Sequence, residues 1–190
     1  MIVAYFSNIH FVKNIGVSNT KTMRGKGVIY SLMNDLPRHQ GMRNLLVEVL
    51  IDKGIKNQDV LAAIKNVPRH LFLESSFEQY AYQDNAFPIG AGQTISQPYT
   101  VAFQTELLNV SEGEKVLEVG TGSGYQAAVL AEMGIKVYSI ERQKELFDTS
   151  SGLLKKLGYQ ITQKYGDGYK GLPAFAPYDG IVVTAGAPMI

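Results

Sequence analysis

The chain has no cysteine among its 190 residues. That excludes a disulfide scaffold, Cys-ligated zinc, a thiol nucleophile and a thiolate-held iron–sulfur cluster. It fits a reducing compartment, so a cytoplasmic location is expected, and no metal is expected. Net charge is almost absent as well: 18 Lys and Arg against 17 Asp and Glu leave +1, too little for a global field to draw the chain to nucleic acid or a membrane surface. No run approaches the roughly 18 consecutive apolar residues of a membrane span. Neither nucleic acid nor membrane is therefore an expected partner. What is present suits a soluble globular protein: 45% hydrophobic, 18% charged, Gly 19 and Pro 7, in a length that allows one ordinary domain with its own core.

Acid is missing from the front end. Residues 1–32 hold Lys13, Lys21, Arg24 and Lys26 and no Asp or Glu, so the other 158 residues keep 14 basic against 17 acidic groups, a net of −3. The opening MIVAYF is apolar for six residues with no basic stretch before it, which makes a poor secretory signal. An organellar transit peptide, a start placed ahead of Met33 and an ordinary extension all stay open. In each case 1–32 is expected to be a disordered leader or extension, with the patterned domain running over 33–190.

From Met42 the pattern is regular. MRNLLVEVLIDKG predicts a helix with Leu45, Leu46, Val49 and Leu50 on one face and Gly54 at its stop. Asn57 can cap a second helix that gathers Val60, Leu61 and Ile64. Pro68 then breaks the chain, and residues 74–95 read as loop with short helical pieces. SQPYTVAFQTELLN predicts a helix, with Ser96 as cap and Pro98 in the first turn. Strands follow at 115–119, 136–140, 160–165 and 180–185, with helices at 124–134 and 143–157. Such alternation implies an α/β fold, a doubly wound and mainly parallel Rossmann-like sheet behind N-terminal helices. The domain divides into a helical part (33–110) and a βα part (111–190).

VLEVGTGSGYQAAVLA places Gly120, Gly122 and Gly124 between a buried strand and a helix, where a ligand can approach the backbone closely. Counted as G-x-G-x-x-G from Gly120 the last position is Tyr125, and from Gly122 it is Ala127, so a dinucleotide reading survives only weakened. No Lys-Ser or Lys-Thr follows at P-loop spacing, and Ser123 lacks the flanking pattern of a hydrolase elbow. Glu141 ends the second strand, where a carboxylate can accept both ribose hydroxyls. Glu118 sits among apolar neighbours and needs a counter-charge, which the α-ammonium of an amino-acid-type cofactor can supply. Asp167, between Gly166 and Gly168, can accept from an adenine amine. Ammonium, ribose and adenine in a row describe S-adenosylmethionine. Taken singly, each residue also has a structural reading: Asp167 as a turn residue, Glu141 as a helix-start acid, Ser96 as a cap. His70, in PRHLF, reads as structural.

GQTISQPYTVA (92–102), VLEVGTGSGYQAAVLA (116–131), YSIER (138–142), YGDGYKGLP (165–173) and YDGIVVTAGAP (178–188) closely resemble protein-L-isoaspartate O-methyltransferases of bacterial type, and the likeness runs from about Met33 to Ile190. The resemblance implies methyl transfer from S-adenosylmethionine to the α-carboxylate of L-isoaspartyl or D-aspartyl residues in damaged proteins, by a monomer. By motif, Ser96 matches the active-site serine. Thr94, Ile95 and Gln97 would flank the cofactor's reactive end, and Glu118, Gly120, Gly122, Glu141, Arg142, Asp167 and Gly168 match cofactor contacts. The resembled sheet has seven strands ordered 3-2-1-4-5-7-6, whereas this sequence ends just after the fourth. GIVVTA is thus expected to stand as an apolar edge. Two alternatives remain at this point: a non-catalytic fragment of such an enzyme, and a nicotinamide-dependent oxidoreductase.

Overall fold

The computed structural model describes residues 35–185; the expectations for the leader and for the closing GAPMI lie outside them. Two helices come first, α1 (Pro37–Asp52) and α2 (Gln58–Asn66). Asn57 caps α2, its Oδ1 accepting from the backbone N–H of Asp59 at 2.9 Å and of Val60 at 3.2 Å. Val60, Leu61 and Ile64 are buried together.

In α1 the expected face is rotated. Leu46 and Leu50 are buried, but Leu45 and Val49 are 61% and 41% exposed, and His39 and Arg43 take the inner positions. Burial of Arg43 is possible because its donors are filled. Nη1 and Nη2 span the Asp35 carboxylate at 2.7 and 2.8 Å, and Nε donates to the Lys65 carbonyl at 2.8 Å. Such a bidentate, charge-assisted pair offsets much of the desolvation of both ions. The hydroxyl of Tyr82 joins the network, 3.0 Å from Arg43 Nη1 and 2.6 Å from His70 Nδ1. Asp35, His39 and His70 approach one another closely enough to suggest a metal site, but Arg43 already spans the carboxylate. The cluster ties α1 to the turn after α2.

A single 3-10 turn (Arg69–Phe72) follows Pro68, and a second covers Ser75–Tyr80. The segment 74–95 is not only loop. It holds an antiparallel hairpin of β1 (Phe87–Gly90) and β2 (Gln93–Ile95). These strands are too short for alternation to register. Their turn runs through Gly90, Ala91 and Gly92, all at positive φ, which two glycines make accessible.

Helix α3 (Pro98–Leu108) starts with Pro98 in its first turn, as predicted. The cap is not Ser96. Gln97 holds the N-cap position, and Asp84 supplies the acceptor, its Oδ1 taking the Tyr99 N–H at 2.7 Å. A carboxylate brought in from elsewhere also complements the helix dipole.

The sheet contains β3 (Lys115–Val119), β4 (Lys136–Glu141), β5 (Thr162–Tyr165) and β6 (Gly180–Val183), joined through α4 (Tyr125–Glu132) and α5 (Lys144–Lys156). Every pairing is parallel, in the order β5-β4-β3-β6. All four strands and both helices fall within two residues of the predicted bounds. Val116, Val137 and Val182 point into the main core with the helices. Because side chains alternate along a strand, Glu118 shares the face of Val116, and Ser139 and Glu141 share that of Val137. The opposite face is covered by residues 168–178: Phe175 packs tilted and Tyr178 edge-on against Tyr138, with ring centroids 4.8 and 5.7 Å apart. Among the described residues β6 stands at the edge of the sheet, beside β3.

Candidate functional site

The carboxyl ends of β3 and β6 open into a cleft whose empty space, counted out to solvent, is about 300 Å³. Thr94, Ile95 and Ser96 form one wall and Gly120, Thr121, Gly122 and Ser123 the other, while Glu118, Tyr125, Gln126 and Thr184 lie between and beneath. Six of the residues singled out from sequence therefore meet on one surface: Thr94, Ile95, Ser96, Glu118, Gly120 and Gly122.

Close packing forces the glycine at 120. A Cβ there would lie 2.7 Å from that of Ala185, and φ is +97°. The loop after it is stitched down by Glu141, whose Oε2 accepts from Gly122 N–H and whose Oε1 accepts from Gln143 N–H, both at 2.8 Å. A carboxylate oxygen can accept more than one donor, so these bonds leave Glu141 with acceptor capacity. Thr184 pins the other side, its hydroxyl donating to the Gly120 carbonyl at 2.5 Å.

Glu118 is fully buried. The β3–β4 register sets it beside Ser139, whose hydroxyl donates to Oε2 at 2.5 Å and itself lies 2.5 Å from the Thr121 hydroxyl. Among the described residues the other oxygen, Oε1, makes no well-formed hydrogen bond, although the Ala127 backbone N–H also favours the charged carboxylate. Burial drives the carboxyl pKa up to about 8; the Ser139 bond opposes the rise and the nearby Glu141 charge adds to it. A second buried acceptor, Gln126 Oε1, is also unfilled, while the amide's Nε2 donates to the Thr105 hydroxyl at 2.8 Å. Two unfilled acceptors on one cleft wall call for a donor-rich, cationic group.

Ser96 is half-buried, and its hydroxyl has no hydrogen-bond partner among the described residues. With Asp84 serving the helix end, the Ser96 side chain is free for a ligand. The remaining expected residues are not on this wall. Gln97 directs its amide towards Asp84, 3.5 Å from Oδ2. Arg142 is exposed at the end of β4. Asp167, also exposed, accepts from Tyr169 N–H at 2.9 Å, the turn role open to it from sequence. Gly168 lies so near β3 that a Cβ would be 2.3 Å from Val119 Cγ1, which keeps the Asp167 turn beside the end of that strand. Thr121, Tyr125, Gln126, Ser139 and Thr184 were not expected. Gln126 had a signal, a lone amide inside the apolar run YQAAVLA. The hydroxyls had none before the register was known.

A family model described as protein-L-isoaspartate(D-aspartate) O-methyltransferase (PCMT) matches residues 41–190. The chain belongs to that family. It is 68% identical over 159 residues to the protein-L-isoaspartate O-methyltransferase of Flavobacterium psychrophilum, an overlap of 83% of this chain and 75% of that protein. It is 52% identical over 152 residues to the enzyme of the same name from Dictyoglomus thermophilum, covering 80% of this chain and 69% of the relative. Among solved structures, a protein-L-isoaspartate O-methyltransferase superposes with a TM-score of 0.70 at 33% identity, over 76% of this chain and 48% of the other. The chain thus spans about half the length of that solved protein. A Plasmodium falciparum protein-L-isoaspartate O-methyltransferase in complex with S-adenosyl-L-homocysteine matches at a TM-score of 0.53 and 27% identity, over 67% of this chain and 62% of that one. Methyl transfer to L-isoaspartyl or D-aspartyl protein residues is the reaction that the family's name describes. The nicotinamide-dependent alternative is set aside.

Proposed function

We propose that this cleft holds S-adenosylmethionine and that the Ser96 turn presents to it the α-carboxylate of an L-isoaspartyl or D-aspartyl residue in a damaged protein. The observation that carries the reading is the juxtaposition, in one cleft, of an unpartnered Ser96 hydroxyl with the unfilled oxygens of Glu118 and Gln126. The donor set suits the cofactor. Glu118 and Gln126 would take the ammonium of its amino-acid tail, and Gly120 and Gly122 would let it approach the backbone. The spare acceptor capacity of Glu141 would serve the ribose, Arg142, Asp167 and Gly168 would hold the adenine, and Thr94, Ile95 and Gln97 would flank the reactive end. When bound, S-adenosylmethionine would supply a sulfonium methyl for in-line attack by a carboxylate oxygen, with S-adenosylhomocysteine leaving as the neutral thioether.

The chain's own work is positioning. A backbone-type carboxylate has a reference pKa of about 3.5 and is already ionised at pH 7, so no general base is required. With Asp84 occupying the start of α3, the Ser96 hydroxyl is the group that can hold that carboxylate, by a charge-assisted hydrogen bond. Ile95 and Val101, both buried on the cleft wall, keep water from competing. Fixing the line of attack is worth several kcal/mol of barrier.

We also read residues 33–110 as the substrate-side part and 111–190 as the cofactor-binding part, in a monomer acting in the cytoplasm with no nucleic-acid or membrane partner. The near-neutral charge supports this, and no described helix is long and apolar enough to cross a membrane. The test is transfer of labelled methyl from S-adenosylmethionine to an isoaspartyl peptide, with the normal-aspartate peptide as control. Base-labile label on the isoaspartyl peptide alone is expected. A folded, soluble chain that labels neither peptide would instead be a non-catalytic fragment.

A further inference from the structure

Among the described residues Arg69 is the largest side chain that is fully buried, at 0% exposure, and nothing in the site described so far uses it. It opens the 3-10 turn of PRHLF. No carboxylate pairs with it among the described residues, unlike Arg43. Its Nη2 donates to the Ser96 carbonyl at 2.9 Å and to the Asn85 carbonyl at 3.2 Å, while among the described residues Nε and Nη1 make no well-formed hydrogen bond and Tyr125 is the side chain that most favours the charge. The guanidinium carbon lies 4.7 Å from the centroid of the Tyr125 ring, within range of a cation–π contact. Phe72, from the same turn, meets that ring edge-on at 5.6 Å between centroids.

Stability alone is a poor explanation for such a residue. Taking a cation out of water costs several kcal/mol, and two neutral carbonyls and a ring face do not match a carboxylate partner. An apolar side chain of similar length would fill the space at lower cost. The geometry is specific, however. Ser96 lies on one wall of the cleft and Tyr125, directly after Gly124, lies beneath the other, and Arg69 touches both. The Ser96–Gln97 peptide is a rigid plane. Holding its carbonyl from behind sets where the Gln97 N–H points and how the Ser96 Cα, with its hydroxyl, faces the cleft.

We infer that Arg69 is a positioning residue for methyl transfer: by joining the Ser96 carbonyl to the Tyr125 ring it holds the substrate-side wall at a fixed distance from the cofactor-side wall. This rests on the function proposed above. Among the described residues no hydrogen bond or ion pair joins Arg69 to Glu118, Gly120, Gly122 or Glu141, so the cofactor's main anchors do not depend on it directly. A methylene-scale shift of the Ser96 turn misaligns the carboxylate with the methyl group while leaving the cofactor bound.

The test uses Arg69→Met, which keeps length and removes the buried charge, and Arg69→Lys, which keeps charge but can neither fork nor stack. Two measurements are made on folded protein: kcat for isoaspartyl-peptide methylation, with the dissociation constant of S-adenosyl-L-homocysteine, and hydrogen exchange of residues 93–99. Arg69→Met is expected to lower kcat at least tenfold, to change the dissociation constant by less than about threefold, and to speed exchange of 93–99 at least tenfold while β3 and α4 keep their protection. Arg69→Lys is expected to fall between Arg69→Met and the parent in both readouts. A variant with the parent kcat, or with unchanged exchange at 93–99, overturns the inference. So does a loss of activity that only tracks the folded fraction. If Arg69→Met does not fold, Arg69→Lys decides by the same two readouts. A parent chain without methyl transfer refutes the functional reading itself, and the exchange data then decide on their own whether Arg69 holds the turn.

Discussion

Replacing Glu118 by glutamine separates what the carboxyl does for the cofactor from what it costs the fold. In the folded protein this carboxyl has a pKa of about 8, against 4.5 for the unperturbed group, chiefly because it is buried. A raised folded pKa means that stability is fully present below about pH 4.5 and is lost as pH rises towards 8, since the unfolded chain ionises freely and the folded one does not. At about 1.36 kcal/mol per pKa unit, the loss reaches about 3 kcal/mol at pH 7 as an upper figure. Glutamine keeps the shape, still accepts from Ser139, and has no proton to exchange. The glutamine variant, free of ligand, should therefore equal the parent near pH 4.5 and exceed it by about 1–3 kcal/mol at pH 7, measured by urea denaturation across that range.

Binding should run the other way. If Glu118 must ionise to meet the cofactor's ammonium, affinity for S-adenosyl-L-homocysteine rises with pH up to about 8. The ionised fraction grows from about one part in a hundred at pH 6 to about one half at pH 8, a gain of roughly fifty-fold. The glutamine variant should bind weakly with no such slope, as calorimetric titration at several pH values would show. A stability difference that does not change with pH would refute the buried-carboxyl argument. A flat parent affinity would refute the pairing with the ammonium.

Three other outcomes follow. Ser96→Ala should lower kcat by about ten- to a hundred-fold, as loss of a hydrogen bond to a charged group implies, while S-adenosyl-L-homocysteine affinity holds within about twofold. Because Asp84 and not Ser96 serves the start of α3, the same variant should keep its stability within about 0.5 kcal/mol, whereas Asp84→Ala should lose about 1 kcal/mol, both read from urea midpoints. Burial and the neighbouring His39 push His70 down to about pKa 4. As pH falls from 6.5 to 4, unfolded His70 takes a proton that the folded form refuses, so up to about 3 kcal/mol of stability should vanish across that window, and His70→Gln should flatten the profile. Gly168→Ala places a methyl group where Val119 stands. It should cost about 1–3 kcal/mol by overpacking and, by displacing the Asp167 turn, weaken cofactor binding in the same titration.

The parallel sheet was legible because a strand buried on both faces shows as a short apolar run, and KVLEV and KVYSI are such runs bounded by glycine and charge. Glu118 was legible for the converse reason, as a charge where only apolar residues belong. The inner face of α1 was not. Periodicity weighs apolarity, and it favoured Leu45 and Val49, whereas the fold buries Arg43, whose charge is met by Asp35 from outside the helix. The cap on α3 failed in the same way: Ser96 is in the right place in sequence, but the carboxylate that serves the helix arrives from Asp84 through tertiary structure.

These misses share a cause that bears on the chemistry. Local pattern identifies a residue that can satisfy a backbone or a charge; it does not show which competitor the tertiary fold brings there. Ser96 could act as cap or as ligand donor, and both readings were open until Asp84 was seen to occupy the first role. Relieved of capping, the serine hydroxyl has no hydrogen-bond partner among the described residues. Arg69 is the counterpart from behind, a cation whose position in PRHLF carries no sign of its target until the Ser96 carbonyl lies 2.9 Å away. The Ser96 turn is thus assembled from its surroundings. Asp84 relieves its hydroxyl of structural duty, Arg69 holds its carbonyl, and a substitution at either position should be felt first at Ser96.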